Sequence, residues 1–201
     1  MEMKARMPPP PTLDLLFFVG GGGIVIDDAV DGQVLRRVAV DGFEESQKLL
    51  MTVALHALAD DLTLAHAALL PDERQASAVA FLRQAVAHYQ RFGVRVQRIM
   101  TDNGPCFLSD AFAAACRLLG LKHITTRPYT PKTNGKAERF IPSSLREWAY
   151  ASSFDTSAHR ADQLPRWLHR YNWYRPHSSL GLKTPVSRLH LSKNNLLTLH
   201  S

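Results

Sequence analysis

The tightest constraint on this chain is the stretch from Asp72 to Gly120, where a helical pattern, a strand pattern and a second helical pattern follow with little slack. Val79, Leu82, Val86 and Tyr89 fall at i, i+3, i+7 and i+10, one face of a helix, and Gly93 supplies a stop. A helix is expected from Asp72 through Phe92. Val94, Val96 and Ile99-Met100 then alternate with arginines as a strand does. Ser109 suits the N-cap of a helix through Leu119, with Gly120 as its C′ residue. A short strand follows at Lys122–Thr126. A helix between two strands implies a parallel crossover. The stretch therefore selects a mixed α/β domain.

Elsewhere the pattern is less regular. Leu13–Val19 and Ile24-Val25-Ile26 read as apolar strands around four glycines, and Val38-Ala39-Val40 as a further strand edge. Thr52–Ala59 and Leu62–Leu70 read as two strands around an Asp60-Asp61 turn. A helix capped by Thr133 or Asn134 is expected to run through Glu138 toward Tyr150. A last helix spans Ala161–Trp173, where Leu164, Trp167, Leu168 and Tyr171 share a face and Pro165 fits only the first turn. The aromatics Trp167, Tyr171, Trp173 and Tyr174 are read as packing residues. The expected division is a leader over residues 1–12, a core over 13–150, a helical extension over 151–190 and a tail over 191–201.

Composition removes several classes. Apolar residues are 45% and charged residues 21% of 201, enough for a sizeable core. Cys106 and Cys116 form no Cys-x-x-Cys pair, so a disulfide scaffold or zinc knuckle is not expected. No run of 18 apolar residues exists, so no membrane partner is expected and the cytoplasm is the default compartment. The net charge of +6 is uneven: residues 1–50 carry −3, residues 51–100 carry +1 and residues 101–201 carry +8. A basic half of this kind suits a polyanion.

Two acids in that basic half stand out. Asp102 lies in Thr101-Asp102-Asn103-Gly104, just past the expected strand, where α/β sheets place ligands. Glu138 lies in Pro131-Lys132-Thr133-Asn134-Gly135-Lys136-Ala137-Glu138-Arg139, on an early turn of a helix. Each has a structural reading when taken alone. Asp-Asn-Gly is turn material, and a carboxylate near a helix start complements the dipole. His123, on the strand before this loop, reads as a half-buried structural histidine, and Cys106 as a small packed residue.

The flanks of the two acids carry a resemblance. Thr101-Asp102-Asn103-Gly104, the Pro-Tyr-x-Pro-x-x-Asn-Gly-Lys-x-Glu-Arg segment ending at Arg139, and Tyr171-Asn172 through Arg175-Pro176-His177 resemble the catalytic core of the retroviral-integrase and insertion-sequence transposase superfamily, the DDE type. The resemblance is strong over Val96–Leu189 and weaker back to about Thr52. It implies a ribonuclease H-like mixed sheet flanked by helices, with a C-terminal helical extension. It implies metal-dependent phosphodiester hydrolysis and strand transfer on DNA, with two Mg²⁺ or Mn²⁺ ions held by three carboxylates. Asp102 and Glu138 would be two of them, and Lys132, Lys136 and Arg139 would contact DNA phosphates. The implied assembly is a homo-oligomer on DNA ends.

The third carboxylate belongs on the first strand. Asp14, in Leu13-Asp14-Leu15-Leu16, is the nearest analogue; Asp60 competes; a chain with no working first acid is the remaining reading. Residues 13–58 match the superfamily poorly, and Pro142, four residues after Glu138, would remove a helix hydrogen bond. Full-length relatives carry an N-terminal DNA-recognition domain, for which the residues before 13 leave no room. The alternative function is a catalytically inactive transposase remnant that binds DNA non-specifically.

Overall fold

The computed structural model describes residues 12–18, 24–26, 48–56, 64–125, 140, 142–151, 153–154, 156–189 and 191, the first three ranges as strands. Six strands form one sheet: β1 (Thr12–Phe18), β2 (Ile24–Ile26), β3 (Lys48–His56), β4 (Ala65–Leu70), β5 (Arg95–Thr101) and β6 (Lys122–Thr125). One edge of β3 pairs antiparallel with β1 and then with β2, and its other edge pairs antiparallel with β4. β1 pairs parallel with β5, and β5 pairs parallel with β6. The sheet is therefore antiparallel on one side and parallel on the other.

The parallel side dictates where the helices go. Successive parallel strands need a crossover, which α1 (Gln75–Arg91) supplies between β4 and β5, and α2 (Asp110–Leu118) between β5 and β6. α1 starts three residues later than the sequence pattern suggests. The Asp72 carboxylate accepts the Arg74 backbone N–H and the Ser77 hydroxyl, which holds Asp72 in the turn ahead of the helix. The buried face of α1 is Ala78, Phe81, Leu82, Ala85, Val86 and Tyr89, while Val79 is only partly buried. Complete burial of a side chain the size of Phe81 or Leu82 contributes about 1.5–3 kcal/mol. α1 stops at Gly93, whose φ of +71° favours a residue without a β-carbon. α2 is capped as expected: the Ser109 hydroxyl accepts the Phe112 N–H at 3.3 Å.

β5 is buried at Val96, Ile99 and Thr101. Phe107 and Phe112 close the core beside it, edge to face, with centroids 5.1 Å apart. Cys106 and Cys116 are both free and buried. Among the described residues no helix is long and apolar enough to cross a membrane.

The C-terminal part docks on the antiparallel edge. α3 (Ser157–Trp173) begins four residues earlier than expected, because the Thr156 hydroxyl accepts the His159 N–H at 3.1 Å. Pro165 is consequently in the helix interior rather than its first turn. Leu164, Trp167 and Tyr171 pack with Phe140 and Trp148 against Ala65 and Ala67 of β4. Asn172, 4% exposed, completes the joint. Its Oδ1 accepts the Ala65 N–H at 2.9 Å and its Nδ2 donates to the Ala65 carbonyl at 2.8 Å. One amide side chain thus stands in for a neighbouring strand at an edge that would otherwise be open. Upstream, residues 142–144 are helical, and Leu145–Ala149 widens into a turn closed by Tyr150 N–H donating to the Leu145 carbonyl at 2.8 Å. Pro142 is itself one of these helical residues, and Phe140 ahead of it is helical too. The strand expected at Val38–Val40, the Asp60-Asp61 turn and the helix start near Asn134 lie outside the described residues.

His66 of β4 and His88 of α1 stack with centroids 4.3 Å apart, and Phe81 flanks His66. Burial lowers His66 to about 3, helped by the charge of His88, and lowers His88 to about 4, helped by Arg91. An unfolded chain takes up these protons near pH 6.5, the folded chain only near 3 to 4. Between those values the unfolded state binds more protons, so this stability is full above about pH 6.5 and is lost as pH falls.

Two outcomes are expected. Asn172→Asp, which loses the amide donor to a buried carbonyl, should lower stability by about 1–3 kcal/mol in denaturant titration at neutral pH. The thermal midpoint should drop between about pH 7 and pH 4, and His66→Phe should flatten that drop; an unchanged slope in the variant would remove His66 as its cause.

Candidate functional site

Asp102 follows β5 directly. Because β5 lies inside the sheet and ends there, the chain must turn, and Asp102-Asn103-Gly104 makes that turn. Asp102 Oδ1 accepts the Gly104 N–H at 2.9 Å, which fixes the carboxylate against its own loop. A β-carbon on Gly104 would lie 3.0 Å from the same Oδ1 and 3.4 Å from the Phe107 ring. The turn expected of this tripeptide is present, and it fixes the direction of the Asp102 carboxylate.

The neighbours of Asp102 give the site its electrostatics. Asp102 is half-buried, and burial raises its carboxyl above the ordinary carboxylate range; the Gly104 N–H opposes this, and the charge of Glu73 adds to it. Cys106 is likewise raised, first by burial and then by Asp102. A desolvated carboxylate that feels a second one is a group whose charge a cation would relieve. Glu73 escapes a reading of the sequence because it sits in the Pro71-Asp72-Glu73-Arg74 turn, which looks like an ordinary helix start. The parallel arrangement is the missing signal, since α1 begins beside the end of β5.

Behind Asp102, Thr101 is fully buried. Its hydroxyl donates to the Asp102 carbonyl at 2.8 Å and lies 2.8 Å from His123 Nε2 on β6. With the Thr101 proton so used, His123 donates from Nε2. The His123 ring meets Phe112 edge to face at 5.2 Å, and burial lowers its pKa. His123 is thus the half-buried structural histidine that was expected, one hydrogen bond away from the loop that holds Asp102.

The strand register locates Asp14. It sits on β1 opposite His56 of β3 and Arg98 of β5. Leu16 is level with Met100, so the β1 position level with Asp102 is Phe18. Asp14 lies four residues behind, about 13 Å along the strand. Glu138, Lys132, Lys136, Arg139 and Asp60 lie outside the described residues. Among the described residues no three His, Cys, Asp or Glu side chains form a metal cluster.

Two family models, both for the integrase core domain, match residues 38–131 and residues 119–185. The chain belongs to the integrase core family. The uncharacterized 39.2 kDa protein of insertion element IS476 from Xanthomonas euvesicatoria is 37% identical over 88 residues, 44% of this chain and 25% of that protein. The transposase InsD of insertion element IS2 from Escherichia coli is 31% identical over 86 residues, 43% of this chain and 29% of that protein. The matched part thus spans between a quarter and a third of the length of these relatives.

Solved structures show the same fold. The catalytic core domain of BIV integrase has a TM-score of 0.55 at 22% identity, covering 80% of this chain and 95% of that one. The HTLV-2 integrase catalytic core domain, solved in complex with magnesium, has a TM-score of 0.55 at 17% identity, covering 90% and 97%. The integrase core here is a ribonuclease H-like α/β fold. Glu138 and the basic residues around it fall within the second matched segment.

Glu73→Gln should move the Asp102 titration downward without returning it to the ordinary carboxylate value, because burial is the larger cause. Side-chain carboxyl NMR of Asp102 measures this; no movement would mean that Glu73 is too distant to matter.

Proposed function

We propose that this integrase core is the catalytic domain of a transposase that cuts and joins DNA by metal-dependent phosphodiester hydrolysis and strand transfer. The observation that carries the proposal is Asp102: an acid at the end of a central parallel strand, half-buried, with its carboxylate held by the Gly104 N–H. The donor chemistry fits a hard divalent cation, since Asp102 and Glu138 offer carboxylate oxygens. Asp102 and Glu138 would hold Mg²⁺ or Mn²⁺, with Asp14 the remaining member of the set that the resemblance implies. Two such ions, when bound, would neutralise the phosphodiester and activate a water or a DNA 3′-hydroxyl for in-line attack. The protein's part is positioning. Gly104 keeps the Asp102 carboxylate from swinging, and Thr101 and His123 hold the backbone beneath it. Lys132, Lys136 and Arg139 would take DNA phosphates, which set position without reading sequence. Homo-oligomeric assembly on DNA ends belongs to the same proposal.

A second reading, a core that binds DNA without cutting it, turns on the acid of β1, since Asp14 sits four residues behind the level of Asp102. Nicking of supercoiled DNA with Mg²⁺ or Mn²⁺ separates the two. Under the first reading Asp102→Asn and Glu138→Gln each remove more than about 100-fold of the activity, since partners one shell further out are already worth about 10–100-fold. Asp14→Asn removes as much if Asp14 is a ligand. A wild-type signal no greater than that of Asp102→Asn leaves the binding-only reading.

A further inference from the structure

Away from Asp102, two adjoining cavities run along α3 and the wide turn before it. One, of about 450 Å³, is lined by Phe154, His159, Arg166 and Arg170 among others. The next, of about 390 Å³, is lined by Arg170, Tyr174 and Arg175 among others. Both include Glu147, Trp167 and Arg170, so they form one trench. Trp167, 7% exposed, is part of its floor, and Tyr174, 58% exposed, stands at its rim.

Among the described residues the charges in the trench do not balance. Glu147 is the one acid lining it among the described residues, and Arg175 already takes its carboxylate at 2.8 Å. Arg175 also lies over the Tyr171 ring at 5.3 Å, which fixes the pair in place. Arg166 and Arg170 are exposed, and neither forms an ion pair with an acid among the described residues. They stand at i and i+4 on one helix face, where like charges repel and weaken a helix. Their Cα atoms are about 6 Å apart along the axis, a step comparable to that between successive phosphates of one strand. Two guanidinium groups at that step, without an acid partner among the described residues and with an exposed aromatic beside them, match a nucleic-acid strand: phosphates for the arginines, a base face for the tyrosine.

We propose that this trench is a second nucleic-acid site, which holds a single DNA strand through Arg166 and Arg170 with a base stacked on Tyr174. The inference rests on the reading of this chain as a DNA-acting core, but it concerns a surface that Asp102 does not line. A strand held there would be a displaced or flanking segment rather than the phosphodiester being cut.

The test measures binding of the full chain to a fluorescent oligothymidylate of about 16 nucleotides, by anisotropy over a salt series with EDTA present. Arg166→Gln/Arg170→Gln should weaken binding about tenfold or more. It should also make the slope of log affinity against log salt shallower by about 1.4, about 0.7 for each single-strand phosphate that the arginines no longer neutralise. Tyr174→Ala should weaken binding about fivefold or more and leave the slope unchanged. All three residues are exposed, and a thermal midpoint equal to wild type confirms that a variant is folded. Wild-type affinity and slope in the folded double variant overturn the proposal. A duplex of the same length that binds as tightly and weakens as much in the double variant overturns the single-strand assignment. Asp102→Asn should bind the oligonucleotide as wild type does. Loss of nicking in Asp102→Asn with unchanged binding in the arginine variant would sink the trench and leave the catalytic reading standing.

Discussion

Everything in this molecule that bears on chemistry depends on the burial of β5 within the sheet. A strand with β1 on one side, β6 on the other and helices packed over it cannot drift in register without exposing Ile99 or burying an arginine. Its end is therefore a fixed point. Thr101 is the last buried residue, and Asp102 is the first that the sheet releases. The turn that follows then has one task, to leave the carboxylate where the strand delivers it. The Gly104 N–H does so, and a β-carbon at Gly104 would press on the same carboxylate oxygen.

The C-terminal extension is held by a different kind of contact. The sheet's antiparallel edge is closed by packing and by one amide, Asn172 on Ala65. The motif from Tyr171-Asn172 to Arg175-Pro176-His177, part of the resemblance read from the sequence, is distributed over this joint. Tyr171 lies in the aromatic cluster, His177 meets Tyr171 edge to face at 4.8 Å, and Arg175 reaches back to Glu147 in the wide turn. Those contacts tie α3 to the segment that follows Glu138. The motif thus couples the wide turn at Leu145–Ala149 to the edge of the sheet.

The central part of the fold was legible because it is local. The 3.6-residue repeat of α1, the alternation of β5, and the Ser109 cap are each written within a dozen residues, and only the ends moved. Where an end moved, a polar side chain was the reason: Asp72 delayed α1 and Thr156 advanced α3, against the apparent veto of Pro165. The place of Asp102, in the turn that ends β5, was legible for the same local reason. Glu73 was not, because its nearness to Asp102 comes from α1 starting beside a strand that lies more than twenty residues later in the chain. Nor could the level of Asp14 be read from its own neighbours. A parallel register is set by the other strand, and a run such as Leu13–Phe18 is apolar at almost every position, so it offers no alternation from which to infer one.

The second aromatic cluster has a consequence for how this protein can be watched. Trp148 and Trp167, two of the three tryptophans, face each other with ring centroids 6.5 Å apart, and both belong to the joint between α3 and β4. Indole emission therefore reports chiefly on the clasp, whereas far-ultraviolet dichroism reports on α1 and α2 as well. A joint that opened before the sheet melted would separate the two signals, and a single cooperative unit would keep them superimposed.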